Sequence, residues 1–424
     1  MKVLIVNTYE SGGATKASFR LAEGLRSNNI DVSLLLKRNS STSIDAEVLK
    51  PLPVPIIQYV KQKIGRLLVK LNLIHKNKLL SKADRFVKGR SEGLELFTFP
   101  NSSFDITTSE LYRKADIINF HWVSDFLDYS SFFKKNVKPV IWTLHDMNPF
   151  SGGEHYEEIY FGMNENGIPI DRVLTQNELE VIKSIETIKK EALSSTNNLT
   201  IVSPSRWLAE KAKTSSVFRN FQVHCIPNSL NTEIYKLREK SDARELLDIP
   251  QDKKVILFVA ESLTSNRKGF TFLKRAIEKL DSTDLALCVA GKNKSNIDFN
   301  NTIELGVIKD EYTMSMAYAA ADVFVIPSLM DNLPNTVLES LCCGTPVIGF
   351  PIGGIPEMIV NGENGLLASE ISVKALVKTI KEFLLNSKNY NREAIHESAV
   401  KKYSLDVQAN AYIDLFKTVK VNEN

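Results

Sequence analysis

The sequence predicts an α/β protein of two domains, each built on a parallel sheet, that face each other across a deep cleft. Three observations predict this arrangement. Short apolar runs alternate with helical patterns in both halves of the chain, as in βαβ units. The length of 424 residues is enough for two or three domains. Residues 229–252 are polar and charged, which is typical of a linker with a short helix.

The linker divides the chain into an N-terminal domain at 1–228 and a C-terminal domain at 229–402. The remaining segment, 403–424, has an amphipathic helical pattern, and we expect it to pack back on the N-terminal domain. A cleft between two such domains is a favoured place for a ligand.

The composition is that of an ordinary globular protein, with 43% hydrophobic and 24% charged residues. A net charge of +3 is too small to indicate nucleic-acid binding. The four cysteines have no CxxC spacing, so neither a zinc site nor a disulfide framework is indicated. The N-terminal apolar run is shorter than that of a signal peptide, and no run reaches the ~18 apolar residues of a spanning helix. The expected location is the cytoplasm, either free or at the inner face of the cell membrane.

The N-terminal domain opens with a strand at 3–6, a glycine turn at Gly12 and Gly13, and a helix at about 14–27. A glycine turn at this junction is the usual place for an anion at a helix N-terminus, and a turn without a ligand is the alternative. A dinucleotide cofactor is disfavoured. The turn is not GxGxxG, and the next strand is followed by lysine and arginine at 37–38 instead of an acidic residue.

Residues 51–95 interrupt the α/β rhythm. Apolar residues recur at spacings of three and four from Ile57 to Ile74, which is one face of a helix. The stretch 54–90 holds ten Lys or Arg residues and one acid, Asp84. A basic amphipathic helix of this kind can lie on an anionic membrane surface. The alternative is a helical insertion that packs on its own domain with a solvated basic face.

Two predicted strands of the N-terminal domain, at 116–121 and 140–145, end in histidine. A histidine at the C-terminal end of a parallel strand points into the ligand crevice more often than one inside a strand. We expect His145 to reach the cleft, since a glycine-containing loop follows it. For His121 structural packing is the favoured interpretation, because Trp122 follows directly.

In the C-terminal domain two stretches carry candidate binding residues. Arg267 and Lys268 stand at the predicted start of a helix, 268–280, where the helix dipole adds to their charge. The alternative interpretation is that both side chains are solvated and bind no ligand. Asp331 lies in a loop after a strand at 323–326, and Glu339 lies in the short helix that follows. Carboxylates accept hydrogen bonds from vicinal hydroxyls, and arginine and lysine pair with diphosphates. Together these features favour a sugar-nucleotide site. The sequence contains no Asp-x-Asp, which argues against a metal-bridged diphosphate.

The motif DNLPNTVLESLCCGTPVIG, followed by GGIPEMIVNGENGLLA, resembles the signature of family 4 glycosyltransferases. SPSRWLAEKAK, IPNSLNTEIY and SLTSNRKGF are similar to other segments of that family. NFHWV and WTLHDMNPFSGGEHY resemble the subgroup that assembles bacterial surface polysaccharides. The resemblance covers nearly the whole chain. It implies the GT-B fold of two facing Rossmann-like domains and a retaining transfer that requires no metal and no cofactor.

The resemblance also implies roles for residues of the C-terminal domain. By position, Glu339 would bind the ribose of the nucleotide. Asp331 would hold the hydroxyls of the donor sugar, together with the backbone of Asn332, Leu333 and Pro334.

Other roles fall on both sides of the cleft. Lys268, with Arg267, would neutralise the diphosphate. Gly12 and Gly13 would approach the phosphate or the acceptor, and His145 would lie near the anomeric side of the sugar.

The sequence departs from the family pattern in two places. The first acid is Asp331, where the family usually has glutamate. Residues 260–263 read AESL, so the arginine that the family has after this strand is missing, and Arg267 is the candidate to replace it.

We therefore predict a glycosyltransferase that moves a sugar from a nucleotide diphosphate donor to a glycan or lipid-linked acceptor, in bacterial surface polysaccharide synthesis. The backbone of Val307 and Ile308 would contact the base. Two alternatives stay open: a nucleotide-sugar 2-epimerase, which needs no acceptor, and a catalytically silent partner in a membrane assembly complex. Fold alone does not decide among them.

Overall fold

The computed structural model describes residues 1–39, 45–157, 159–280, 283–292 and 301–421. Its strands are β1 (Lys2–Asn7), β2 (Asp31–Leu36), β3 (Glu47–Val48), β4 (Ile117–Phe120), β5 (Val140–Thr143), β6 (Tyr160–Met163), β7 (Pro169–Asp171), β8 (Leu199–Ser203), β9 (Gln222–Cys225), β10 (Lys254–Ser262), β11 (Leu285–Lys292), β12 (Thr302–Gly306), β13 (Val323–Ile326), β14 (Val347–Gly349) and β15 (Gly365–Leu367). Its α-helices are α1 (Gly13–Ser27), α2 (Ile56–Lys70), α3 (Lys82–Gly89), α4 (Glu110–Lys114), α5 (Tyr129–Lys135), α6 (Gln176–Leu193), α7 (Arg206–Thr214), α8 (Lys240–Leu246), α9 (Phe270–Leu280), α10 (Glu311–Ala320), α11 (Asn335–Cys342), α12 (Val373–Asn386), α13 (Arg392–Tyr403) and α14 (Leu405–Val421).

The strands form two parallel sheets, which confirms the predicted α/β class with two Rossmann-like units. The first sheet has the order β3-β2-β1-β4-β5-β8-β9 and the second the order β12-β11-β10-β13-β14-β15. The pairings within both sheets are parallel. Central strands such as β4 and β13 are buried along their whole length, as expected for sheets with helices on both faces. Ligands of such sheets bind outside the carboxyl ends of the strands.

The last helix, α14, returns to the first sheet and packs on α1. Tyr412 and Phe416 of α14 are buried with Leu21 and Leu25 of α1 in one apolar cluster. Gly24 allows this contact, because a Cβ there would lie 2.9 Å from the carbonyl oxygen of Leu405. The chain therefore crosses from one sheet unit to the other twice.

One helix start differs from the prediction. The helix predicted from residue 268 begins at Phe270. Arg267 and Lys268 lie in a 3-10 turn, Asn266–Lys268, which Gly269 ends with a left-handed φ of 68°. A Cβ at Gly269 would lie 1.8 Å from the carbonyl oxygen of Pro327, so this turn packs directly against the loop that carries Asp331.

The segment predicted as a helical insertion contains α2, a 3-10 turn and α3. The apolar face of α2 is exposed to solvent, and Ile57 in it is 74% exposed. In the part of the chain that the structure describes, no helix combines the length and the apolar character needed to cross a membrane. The antiparallel β6–β7 hairpin and helix α13 have no counterpart in the prediction.

Candidate active site in the interdomain cleft

The loop at 327–334 brings Asp331 onto both predicted cations. The Lys268 ammonium donates to Asp331 Oδ2 at 2.6 Å, and Arg267 Nη1 lies 3.4 Å from the same oxygen. The Ser328 hydroxyl donates to it at 3.2 Å. Burial alone would raise the pKa of Asp331, which is 5% exposed, but the two cations outweigh burial and lower it. Asp331 is therefore an ionised carboxylate that neutralises Lys268 and Arg267 while no other anion is bound.

Lys268 is the more accessible of the two cations. Its side chain is 25% exposed, whereas that of Arg267 is 11% exposed. Arg267 donates to the Met330 carbonyl at 2.9 Å and to Glu95 Oε1 at 3.0 Å, and its guanidinium lies 4.2 Å from the ring centroid of Tyr156. Arg267 is thus held by both domains, while Lys268 is free to turn towards a ligand.

Two glycines allow the chain after β14 to support this loop. A Cβ at Gly353 would lie 1.9 Å from the Asp331 carbonyl oxygen, and a Cβ at Gly354 would lie 1.9 Å from that of Asn332. The Gly354 N–H donates to the Asp331 carbonyl at 3.1 Å. Within the described residues, the N–H groups of Asn332 and Leu333 donate to no protein acceptor, so they are available to a ligand. The Leu333 side chain itself is buried in the apolar core.

Replacing Gly354 with alanine is expected to displace the Asn332 carbonyl and weaken donor binding by at least about 10-fold, with a stability loss of ~2 kcal/mol from overpacking. Calorimetric titration and thermal unfolding measure the two effects. Gly89→Ala is the matched control, because a Cβ at Gly89 meets nothing within 4 Å. Equal nucleotide affinity in both variants would contradict this dependence on Gly354.

Glu339 lies in α11 and pairs with a residue that no local pattern in the sequence singled out. Arg20 of α1 donates from Nη2 to Glu339 Oε1 at 3.0 Å, and the Tyr318 hydroxyl donates to Oε2 at 3.2 Å. Glu339 is 3% exposed, so this carboxylate is buried in the contact between the two sheet units. Arg20 also donates to Glu311 Oε1 at 2.5 Å. Glu311 begins α10, and the predicted base-contacting residues Val307 and Ile308 precede this helix by four and three residues.

The glycine turn faces the start of α11. The Asn335 side-chain amide donates to the Gly13 carbonyl at 3.0 Å. Gly12 has a left-handed φ of 104°, and no side chain caps the N-terminus of α1. No side chain caps α11 either, where Pro334 is the N-cap residue. Two helix N-termini with open N–H groups therefore meet at the cleft, an arrangement that favours an anion.

His145 reaches the same region from the first sheet. Its backbone carbonyl accepts from the Asn332 side-chain amide at 3.3 Å. Asn332 Oδ1 accepts in turn from the Ser205 hydroxyl at 2.5 Å. Glu357 adds a further bond between the domains, because its carboxylate accepts from the N–H groups of Arg206 and Trp207 at the start of α7. The Asp331 loop is thus fixed to the first domain.

A hydrogen-bond chain determines the tautomer of His145. Asn119 Nδ2 donates to Thr143, so Asn119 Oδ1 is the acceptor for His121 Nε2 at 3.1 Å. His121 Nδ1 must then accept from His145 Nε2, at 2.8 Å. Burial lowers the pKa of His145 to about 4, against the opposing effect of Asp146, so the ring is neutral at pH 7. Neutral His145 therefore carries its proton on Nε2 and its lone pair on Nδ1. Thr143 is also hydrogen-bonded to Tyr412 at 2.8 Å, which ties α14 to this chain.

Lys189 of α6 supports the loop that follows His145. Its side chain is fully buried, its ammonium donates to the carbonyls of Asn148 and Ser151, and it lies 5.3 Å from the ring centroid of Tyr129. Sequence reasoning missed it, since a lysine in a charged amphipathic helix gives no sign of burial. Burial lowers the pKa of Lys189 to about 7, against the opposing effects of Asp146 and Glu186.

The burial of Lys189 predicts that the stability of the protein rises with pH. Between about pH 7 and pH 10 the unfolded chain binds the Lys189 proton and the folded chain does not. The unfolding free energy should therefore rise with pH across this window, by up to about 1.4 kcal/mol per pH unit from this group. Urea unfolding of Lys189→Met should show a shallower rise than the wild type. Exposed Lys190→Met, the neighbouring control, should keep the wild-type slope, and an unchanged slope in Lys189→Met would contradict the assignment.

The structure thus brings together Lys268, Arg267, Asp331 and the loop at 332–334. The loop leads into α11, which carries Glu339, and the glycine turn at the start of α1 contacts Asn335, the first residue of α11. The sequence did not indicate Arg20, Glu95 or Tyr156 as members of the site. Each contacts a partner from the other half of the chain, and a contact of that kind has no signal in local spacing.

Residues 253–386 match the family model described as glycosyl transferases group 1. The lipopolysaccharide core biosynthesis glycosyltransferase LpsE of Rhizobium meliloti is 30% identical over 182 residues, 41% of this chain and 52% of that protein. The chain spans about half the length of the curated relatives it matches.

Two solved structures share the fold over 99% of this chain. Sucrose-phosphate synthase from Thermosynechococcus elongatus has a TM-score of 0.69 at 16% identity, with 99% of its own chain covered. HepE from Anabaena, solved in complex with UDP and glucose, has a TM-score of 0.65 at 14% identity, with 100% covered. The fold is accordingly the GT-B fold, and the similarity to the glycosyl transferases group 1 family covers residues 253–386.

Proposed function

We propose that this protein is a retaining glycosyltransferase that moves a sugar from a nucleoside diphosphate donor to a glycan or lipid-linked acceptor in surface polysaccharide synthesis. The observation that carries the proposal is the pairing of Asp331 with Lys268 beside two uncapped helix N-termini. This grouping offers one carboxylate for sugar hydroxyls and one mobile cation for a diphosphate.

Donor binding exchanges the partners within this group. The diphosphate takes Lys268 from Asp331, and the freed carboxylate accepts hydrogen bonds from the donor sugar. The N–H groups of Asn332 and Leu333 donate to further sugar oxygens, and Glu339 accepts from the ribose hydroxyls. Val307 and Ile308 contact the base through their backbone.

Transfer then breaks the bond between the anomeric carbon and the diphosphate oxygen. Lys268 and the N-termini of α1 and α11 stabilise the charge that develops on the leaving group, as preorganised donors do in other sites. Arg267 supports Lys268 from its position between the domains, and the neutral His145 accepts from a hydroxyl of the sugar through Nδ1. The acceptor hydroxyl attacks on the face from which the diphosphate departs and gives its proton to the departing diphosphate oxygen, so the anomeric configuration is retained. These residues carry the reaction without a metal or cofactor.

Similar proteins support a nucleotide-sugar donor and a role in surface polysaccharide synthesis. A relative is named for lipopolysaccharide core synthesis, and a protein of the same fold was solved with UDP and glucose.

The direct test is a transfer assay with UDP-, GDP- and ADP-sugars and a panel of glycan and lipid-linked acceptors, followed by mass spectrometry and proton NMR of the product. We expect one donor class to give a product that keeps its anomeric configuration, unchanged by EDTA. An inverted product would refute retention. If a new nucleotide-sugar forms in the absence of an acceptor, the protein is a nucleotide-sugar 2-epimerase and the proposal is wrong.

The exposed face of α2 suggests where a lipid-linked acceptor is met. Its exposed apolar side chains include Ile57, Val60 and Ile64. The surrounding stretch 54–90 carries ten Lys or Arg residues and one acid. An apolar stripe flanked by positive charge matches the interface of an anionic membrane. We therefore propose that the protein works at the inner membrane surface and is attached there through this insertion.

Co-sedimentation with liposomes tests the attachment. The triple variant Ile57→Ser, Val60→Ser and Ile64→Ser should lose most of its binding to anionic vesicles. Val137→Ser, at an exposed apolar site elsewhere, should bind as the wild type does. Equal recovery of the wild type with neutral and anionic vesicles would rule out the electrostatic part of the contact.

A further inference from the structure

Arg20 is a buried cation that crosses between the domains. It belongs to α1 of the first domain and is 4% exposed. Its two carboxylate partners, Glu311 and Glu339, belong to the second domain and lie 2.5 Å and 3.0 Å from Nη2. Its guanidinium lies 5.4 Å from the ring centroid of Tyr235, in the linker segment between the domains. Burial disfavours the charge of Arg20, but Glu339 and Glu311 outweigh burial, so the pKa stays above its ordinary value.

This arrangement is costly as a purely structural contact. The Nε and Nη1 atoms of Arg20 are buried and have no hydrogen-bond partner among the described residues. A buried donor without a partner costs ~1–3 kcal/mol, and a buried ion pair is often no more stable than an apolar replacement. A leucine or methionine at position 20 would therefore serve packing at least as well. The cost indicates that the charge is kept for a task at Glu339.

The geometry leaves Glu339 able to bind a ligand while Arg20 holds it. An ionised carboxylate has about four lone-pair sites, two on each oxygen. Arg20 occupies one site on Oε1, and Tyr318 occupies one on Oε2. One acceptor site remains on each oxygen, which suits two adjacent hydroxyls. Arg20 thus orients the carboxylate without competing for those sites.

We propose that Arg20 is the positioning residue of the ribose site: it reaches across the cleft, fixes Glu339 and makes diol recognition depend on closure of the two domains. The proposal rests on the function proposed above, in which Glu339 binds the ribose. It assigns a part of donor recognition to the first domain, so a second domain alone, or an open cleft, would bind the nucleotide without full selectivity for its diol.

The test compares a nucleoside diphosphate with its 2′,3′-dideoxy analogue by calorimetric titration, using whichever of UDP, GDP and ADP binds the wild type. The variants are Arg20→Gln, Arg20→Lys and Glu339→Gln. Arg26→Gln is the matched control, because Arg26 is an exposed arginine of the same helix whose side chain donates to the Val32 carbonyl of its own domain.

We expect the wild type and Arg26→Gln to prefer the diol by at least about 10-fold, and Arg20→Gln and Glu339→Gln to lose this preference. Arg20→Lys should recover part of it, since the charge is kept. In transfer assays Arg20→Gln should raise KM for the donor by a similar factor and change kcat little, whereas a merely structural defect would lower kcat and the melting temperature together.

Each other outcome is decisive. If Glu339→Gln loses the diol preference and Arg20→Gln keeps it, the inference is wrong while the proposed function stands. If Glu339→Gln also keeps the preference, Glu339 does not bind the ribose and the inference falls with that assignment. If Arg20→Gln does not fold, Arg20→Lys decides: a partial loss of the diol preference with a raised KM supports the inference, and a full wild-type preference contradicts it.

Discussion

Replacing Lys268 with alanine is expected to lower kcat for sugar transfer by about 100- to 1000-fold, the loss typical for one preorganised donor at a developing anion. Lys268 is the partly exposed cation on Asp331, while Arg267 stays bound to Glu95 and to the Met330 carbonyl. Arg267 therefore cannot replace the missing charge without breaking its contact with the first domain. Initial rates at saturating donor measure the effect.

Lys279→Ala is the control for this variant, because Lys279 is exposed in the last turn of α9, at the end of that helix opposite to Lys268. It should retain wild-type rates. If Lys268→Ala keeps full transfer activity, Lys268 has no part in the mechanism. The helix N-termini alone would then stabilise the charge on the leaving diphosphate.

Replacing Asp331 with asparagine is expected to separate diphosphate binding from sugar transfer. The variant keeps the shape of the side chain but frees Lys268 and Arg267 from their shared carboxylate. The free nucleoside diphosphate should bind as well as or better than it does to the wild type, because it no longer displaces Asp331. The kcat/KM for the nucleotide-sugar should fall by about 100-fold, since the acceptor for the sugar hydroxyls is weakened.

Asp331→Asn should also unfold more easily. Breaking a buried ion pair costs ~3–5 kcal/mol, and the partial exposure of Lys268 places this case at or below the lower end. Urea unfolding with and without nucleoside diphosphate measures both effects, and added nucleotide should restore much of the lost stability. A variant with lower nucleotide affinity and intact transfer would contradict the exchange of partners at Lys268.

Local patterns predicted much of the fold. Apolar runs located strands such as β13, which matches the predicted residues 323–326, and the glycine turn followed by a helical pattern located α1, which was predicted at about 14–27 and lies at Gly13–Ser27. Helix α13 was missed because its apolar residues, such as Ile395 and Ala399, form too narrow a stripe for a clear period. The start of α9 was misplaced because a glycine can continue a helix or end a turn, and only its contact with the Pro327 carbonyl decides between the two.

The sequence predicted only those site residues that lie within a recognisable local motif. The motif that contains Asp331 and Glu339 identified the two carboxylates. The position of Arg267 and Lys268 at a predicted helix start identified the two cations. Arg20 occupies an ordinary position in an amphipathic helix, and its partners are about 300 residues away in the chain. Glu95 lies at the end of the basic insertion and reaches Arg267 of the other domain. Pairing of this kind depends on how the two domains meet, which no local spacing encodes.

Calorimetric titration of the wild-type protein and Glu339→Ala with UDP-, GDP- and ADP-sugars decides whether the cleft holds a nucleotide-sugar site. We predict that one nucleotide class binds the wild type and that Glu339→Ala loses at least about 10-fold in affinity for it. Failure of every nucleotide-sugar to bind the wild type, or equal binding by Glu339→Ala, would contradict a nucleotide-sugar site in this cleft.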